Sequence, residues 1–348
     1  LYARPEVLAA ANRKAGSPLR PDELAALVRP RSAPWTVSDV PILDECEELL
    51  GPMPSSSSSS READEGAIER AREAIEAQNL GGGIVTAQML AEQVAGQDTW
   101  TPLSERAAKD RTWAYGHIVV DEAQELSPMA WRALLRRCPS RSFTVVGDLD
   151  QRRGSKRPPT WEKALGPAAR ALAAEYALTV SYRTPATLTT LAEGVVARAG
   201  VPVLYPMTAV RDVDDCYRVT HVDAPEDAPA SSKDNSPLWR AVAQAQREAE
   251  ERLDREAGTS RGRIAIIVGA QRARAWGADV DGETALSERV SLLSAVASKG
   301  LEFDSVILVE PAEVLSDGVG DLFVALTRAT HDVHVVHCAP LPAGMEDW

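Results

Sequence analysis

Gly116–Leu126 reads GHIVVDEAQEL. A short β-branched run that stops at two adjacent carboxylates, Asp121 and Glu122, is a strand with acid at its carboxyl end. In an open parallel sheet that edge is where ligands bind. Asp121 there could hold Mg²⁺ through its water shell, and Glu122 could orient or deprotonate an attacking water. Alone, the pattern is as well explained by an acidic helix start, because Asp and Glu favour helix N-termini.

The flanking sequence changes the balance. Thirty residues after Asp121, a second apolar run, Phe143–Val146, has ended in Gly147-Asp148-Leu149-Asp150-Gln151. A strand–helix–strand unit of this length sets the two strand ends side by side, within reach of Gln151. Further apolar runs recur at Ile264–Val268, Ser305–Val309 and Val333–His337, with helical patterns between, such as Met129–Arg137 and Leu238–Arg255. Near-continuous apolar strands alternating with helices predict an α/β fold with parallel sheets covered on both faces. Three stretches then follow in order: Ser181–Thr184 (SYRT), Ser298–Phe303 (SKGLEF) and Val324–Ala329 (VALTRA). They offer two guanidinium groups for phosphate charge, an aromatic ring for a base and a carboxylate for a ribose hydroxyl. Each alone is an ordinary surface motif; the order is what makes them informative.

The chain has 348 residues, room for two or three domains at roughly 100–200 residues each. With 44% apolar and 26% charged residues it has the balance of a globular protein with a sizeable core. Lys and Arg number 38 against 51 Asp and Glu, a net charge of -13, which argues against coating nucleic acid by bulk electrostatics. Cys46, Cys138, Cys216 and Cys338 are scattered, giving neither a zinc knuckle nor a disulfide framework, as suits a reducing cytoplasm. No apolar run approaches the roughly 18 residues of a membrane span, so no membrane partner is expected. Ser55–Ser60 reads as a linker and 61–78 as a solvated helix ending at Gly81–Gly83.

The ordered set resembles the superfamily-one helicase motors of the UvrD/Rep type. DEAQ looks like their Walker B box, GDLDQ their third motif, SYRT the fourth, SKGLEF the fifth and VALTRA the sixth. The likeness spans roughly residues 110–340 and implies two RecA-like parallel-sheet domains, the first incomplete here, with ATP and Mg²⁺ between them. Position by position it implies that Asp121 serves Mg²⁺, Glu122 activates water and Gln151 senses the γ-phosphate. Arg183 and Arg328 would neutralise that phosphate, Tyr182 would stack on adenine and Glu302 would contact the ribose. Asp148 and Gly300 would complete the nucleotide shell. The implied division is 81–179 for the end of the first RecA-like domain and 180–348 for the second. Residues 55–80 would be the linker and its helix, and 1–54 a helical and irregular segment. Whether 1–54 closes an inserted arm stays open.

Several features depart from that family. No GxxxxGK[ST] occurs; 16–23 (GSPLRPDE) and 154–161 (GSKRPPTW) lack the second glycine and the Lys-Ser/Thr step. The Walker A loop is therefore expected upstream of Leu1, in a missing N-terminal portion of the same protein, and these 348 residues alone are expected not to hydrolyse ATP. Gln151 is followed by RRGSKRPP, without the aromatic residues on which single-strand bases stack, and Ser294-Ala295-Val296 stands where relatives carry Thr-x-His. Between Arg183 and Lys299 there is no room for a large accessory domain. Together with residues 111–148 and 33–45 (APWTVSDVPILDE), these losses resemble the HelD proteins of Gram-positive, actinobacterial type. That resemblance implies a cytoplasmic helicase-like ATPase that binds core RNA polymerase, touches nucleic acid indirectly or weakly, and promotes its release and recycling of the enzyme. A UvrD/Rep-like repair helicase and a catalytically silent polymerase-binding scaffold are the alternatives. His331, His334 and His337 invite a metal site, but residues three apart on a strand face opposite sides. Arg152, Arg153, Lys156 and Arg157 form the clearest basic cluster, a solvated loop or a contact for phosphate or an acidic surface. Trp161 and the other tryptophans read as core.

Overall fold

The computed structural model describes residues 2–51, 103–110, 113–153, 157–223, 236–278 and 287–346. The serine run, the 61–78 helix, the glycines at 81–83 and Lys156 lie outside the described residues. The chain divides into two compact units, one of residues 1–115 with 132–139, the other of 116–131 with 140–348.

In the first unit, helices α1 (Pro5–Lys14), α2 (Pro21–Ala26), α3 (Val40–Leu50) and α4 (Leu103–Lys109) are described. Proline sits at the first turn of α1, α2 and α3, where its missing N–H costs nothing and its fixed φ suits a helix start. Glu45 of α3 holds two guanidinium groups, Arg132 at 2.7 Å and Arg136 at 2.8 Å.

The second unit carries the sheets. Strands β1 (Ile118–Val120) and β2 (Phe143–Val145) pair in parallel, Ile118 opposite Phe143 and Val120 opposite Val145. Helix α5 (Pro128–Arg137) lies between them in sequence, and its Trp131 ring meets Phe143 edge-on at 6.3 Å. The expected strand–helix–strand unit is thus present. Among the described residues this sheet has only two strands, and Val119 and Val146 remain 68% and 50% exposed. Parallel sheets are ordinarily covered on both faces, and the described residues leave these two strands partly uncovered. Short helix α6 (Trp161–Leu165) follows, then β3 (Val180–Ser181), α7 (Ala186–Arg198) and β4 (Thr208–Ala209); β3 and β4 also pair in parallel.

The larger sheet contains β5 (Tyr217–His221), β6 (Ile264–Val268), β7 (Val290–Ser294), β8 (Phe303–Val309) and β9 (Ala329–His337). Its order is β5-β9-β8-β6-β7, and every pair is parallel. The apolar runs explain this arrangement. Along β6, Ala265 and Ile267 enter one core while Ile264, Ile266 and Val268 enter the other. Along β8, Val306 and Leu308 part from Ile307 and Val309 in the same way. One core is closed by α7 and by α11 (Val319–Thr327), the other by α8 (Pro237–Glu256) and α9 (Ala270–Trp276). Helix α10 (Pro311–Asp317) adds Val314 to the first. In α8 the buried residues Leu238, Val242, Ala245, Ala249 and Leu253 recur every three or four positions, one stripe of an otherwise charged helix. Ser236 caps its start by accepting from Trp239 N at 3.0 Å. Each fully buried Val, Leu or Ile contributes roughly 1.5–3 kcal/mol, which is why this unit needs no disulfide. The four cysteines are free.

The last strand begins earlier than its apolar run, at Ala329 rather than Val333. Phe303 pairs with Ala329 before a register shift at Ser305, so β8 draws the polar start of β9 into the ladder. Side chains along it are engaged locally: His334 Nε2 lies 2.8 Å from Thr220 Oγ1, and His337 Nδ1 lies 2.8 Å from the Ala339 carbonyl. No described helix is long and apolar enough to cross a membrane.

Candidate functional site

β1 delivers Asp121 and Glu122 to the carboxyl end of the first sheet. Glu122 adopts a left-handed backbone, φ 50°, an uncommon conformation for a residue with a side chain. Asp121 Oδ1 supports it by accepting from the Glu122 N–H at 2.8 Å. The chain then closes a 3-10 turn, Ala123–Glu125, that buries Gln124 completely. Beside it, Val146 donates its N–H to Val120 O and accepts from Ala123 N, so β2 ends in register with these acids.

The Gly147–Gln151 turn is built around Asp148. Its Oδ1 accepts from Asp150 N at 2.9 Å and caps the 3-10 turn Leu149–Gln151. Its Oδ2 accepts from Gln151 Nε2 at 2.8 Å, which fixes the amide and turns Gln151 Oε1 outward. That oxygen accepts from Arg328 Nη2 at 3.2 Å.

Arg328 follows α11, whose N-terminus rests on the same turn. A Cβ on Gly320 would collide with the Arg152 carbonyl oxygen and lie 3.2 Å from that of Asp150. Arg328 is 2% exposed, and its other hydrogen bonds go to Val324 O, Leu301 O and Thr327 Oγ1. All its partners are neutral oxygens; among the described residues no carboxylate forms an ion pair with it. Burial above all, then the neighbouring Arg183 charge, lowers its pKa to about 10. The charges of Glu122, Glu302 and Asp148 offset this only in part, without direct contact, so a buried guanidinium here suits a ligand with negative charge.

Lys299 precedes the left-handed Gly300, φ 76°. Its ammonium, on a side chain nine-tenths buried, reaches Glu122 Oε2 at 3.1 Å, Glu125 Oε1 at 2.6 Å and Gln151 O at 3.0 Å. Arg183 donates to Glu302 Oε1 at 2.7 Å, while its Nε is buried without a partner. Tyr182 is 74% exposed. Thus Glu122, Gln151 and Arg328, with Asp148, form one connected cluster, and Arg183 lies close enough to repel the Arg328 charge. Glu302 pairs with Arg183, and Tyr182 projects from the cluster without a described ring partner.

Two residues in this cluster had no assigned role from their position in the sequence. Lys299 was read only as part of SKGLEF. Gln124 is one letter of DEAQ in the sequence, where nothing signals the full burial of its amide. Two residues of the basic cluster turn inward: Arg152 donates to Gln124 O, and Arg157 pairs with Asp150 and donates to Pro202 O at 2.8 Å. As a metal ligand, Asp121 is a single carboxylate, and no group of three or more ligand side chains occurs among the described residues. Such a site suits Mg²⁺ that arrives with phosphate oxygens and water rather than a protein cage.

No family model matches the chain, and no curated protein matches it. Among solved structures it is similar to an arterivirus helicase, nonstructural protein 10, at 16% identity and a TM-score of 0.35, covering 67% of this chain and 41% of that one. It is similar also to the C-terminal domain of a possible DNA helicase from Lactobacillus plantarum, at 18% identity and a TM-score of 0.30, covering 47% of this chain and 92% of that one. The PRRSV helicase gives 15% identity and a TM-score of 0.31 over 63% of this chain and 34% of that one. The chain therefore spans about two fifths of the arterivirus protein's length. At these scores the functional reading rests on the geometry of the cluster.

Proposed function

We propose that the chain is the motor portion of a helicase-like ATPase of the UvrD/Rep type, binding Mg²⁺ and a nucleoside triphosphate at the β1–β2 carboxyl edge. The observation that carries this reading is the buried Arg328, which forms no ion pair among the described residues, beside Arg183 and joined through Gln151 to Asp148, with the Glu122 charge near it. Guanidinium groups neutralise the charge of a transferring phosphoryl group, an effect worth about 10³–10⁵ in rate when an arginine is supplied across a cleft. Gln151, held by Asp148, would touch the terminal phosphate; Glu122 would orient water; Asp121 would hold Mg²⁺; Asp148 and Gly300 would shape the nucleotide shell. Tyr182 would take the base, and Glu302, released from Arg183, the ribose. Mg²⁺ would supply Lewis-acid stabilisation of the phosphate oxygens.

The phosphate cradle belongs to a part of the protein outside these 348 residues in this reading. A cleft of about 720 Å³ lies between β2 and the extended residues 172–178, lined by Phe143, Val145, Leu172, Tyr176 and Leu178. A parallel strand laid there would end beside Asp148, and the glycine-rich loop after it would face Gln151 and Glu122.

The partner in this reading is core RNA polymerase, as in HelD proteins, with nucleic acid met only indirectly and in the cytoplasm. What supports it is the net charge of -13 and the lack of stacking aromatics after Gln151. The test is Mg²⁺-dependent ATP turnover by the intact protein and by its Glu122→Gln variant, with a pull-down on core polymerase. Turnover abolished by Glu122→Gln, and capture of polymerase, are expected. Equal turnover in the variant would remove the enzymatic reading, and no capture would remove the partner.

A further inference from the structure

Gln124 is the one polar side chain of the cluster that water does not reach. It bridges the two loops just beyond the last backbone bond between them, Ala123 N to Val146 O. Its Nε2 donates to Glu122 Oε2 at 2.7 Å, and its Oε1 accepts from the Asp148 N–H at 3.1 Å. Only this orientation of the amide satisfies both neighbours. Flipped, its oxygen would face a carboxylate and its NH₂ would face an N–H. Its own carbonyl accepts from Arg152, so the turn after Asp148 grips Gln124 from the backbone side as well.

Gly147 makes the bridge possible. Its backbone is not left-handed, so glycine is needed for room rather than for φ. A Cβ there would collide with Gln124 Oε1, and would stand 2.8 Å from the Trp161 ring and 3.1 Å from Ala123 N. The glycine is thus the hole into which the amide fits.

The bridge completes a continuous polar path. Arg328 donates to Gln151, Gln151 donates to Asp148, the Asp148 N–H donates to Gln124, and Gln124 donates to Glu122. The left-handed backbone of Glu122 does not itself fix where its carboxylate points; Gln124 at 2.7 Å and Lys299 at 3.1 Å hold the same Oε2, and only Gln124 ties it to the Gly147–Asp148 turn by a neutral donor.

We propose that Gln124 is a positioning residue that sets the Glu122 carboxylate from the Gly147–Asp148 turn, so that the state of Gln151 and Arg328 is felt at Glu122. This rests on the reading of Glu122 as the water-orienting group.

The test pairs Gln124→Met, which keeps the shape but removes donor and acceptor, with Gln124→Glu, which keeps the acceptor and puts a carboxylate against Glu122. In the 348-residue chain, hydrogen exchange at the Asp148 amide should quicken in Gln124→Met and stay slow in Gln124→Glu. In the intact protein both variants should lose ~10- to 100-fold in kcat with KM within about twofold, since water orientation and not nucleotide binding is disturbed. Glu122→Gln is measured alongside. If Glu122→Gln abolishes turnover while both Gln124 variants keep the parent kcat, the positioning role is wrong and the reading of Glu122 stands. If Glu122→Gln itself changes nothing, the failure lies in that reading. Unchanged Asp148 exchange in Gln124→Met would overturn the bridge without recourse to activity.

Discussion

Asp321 shows how a single buried carboxyl beside the cluster makes stability depend on pH. Burial first, with Asp317 and Glu125 nearby, pushes its pKa up to about 6 against the opposing pull of Arg153 and Lys299. The folded chain therefore holds this proton more tightly than the unfolded chain does. Its contribution is full below about pH 4 and is lost as pH rises through about 6. Asp321→Asn should stabilise the chain by up to ~3 kcal/mol at pH 8 and by nothing below pH 4, as urea unfolding at the two pH values will show. None of this is legible in the sequence, where Asp321 is an ordinary acidic residue of a helix first turn. Glu122, Gln151 and Arg328 were legible because each ends an element whose type its neighbours reveal. Gln124 and Lys299 were not: Lys299 meets Glu122 and Glu125, and Gln124 meets Asp148, across long stretches of chain that only the folded turns bring together.

At the scale of elements, α11 acts as a lever resting on the Leu149–Gln151 turn. Its glycine at 320 touches backbone rather than a flexible side chain, so the neighbour cannot give way. Gly320→Ala should displace α11 from the turn and take Arg328 off Gln151, at a cost of about 1–3 kcal/mol in denaturant unfolding and with a fall in turnover of the intact protein. By contrast, Leu308→Ala in the middle of the five-stranded sheet should cost roughly 2–5 kcal/mol, read from the same unfolding curves. The central strands β6, β8 and β9 were readable because each carries a run of apolar residues, IAIIV, VILV and the valines of β9, buried on both faces. The edge strands β5 (YRVTH) and β7 (VSLLS) were not named in advance. At the margins of the order β5-β9-β8-β6-β7 a strand can carry Tyr, Arg, Thr, His or Ser, which erases the continuous apolar signal.

At the scale of the whole molecule, the second unit is asymmetric. The five-stranded sheet is covered by helices on both faces, while the β1–β2 pair has exposed valines and a cleft at its side. The parallel α/β class was legible from the strand and helix patterns. The central claim is that the acids after β1 and the guanidinium groups at residues 183 and 328 grip one triphosphate. Titration of the intact protein with a Mg²⁺-bound, non-hydrolysable ATP analogue, beside its Arg328→Ala variant, tests that claim most directly. The account predicts that the variant binds at least ~10-fold more weakly, the loss of one charge-assisted contact or more. Equal affinity in parent and variant would contradict it.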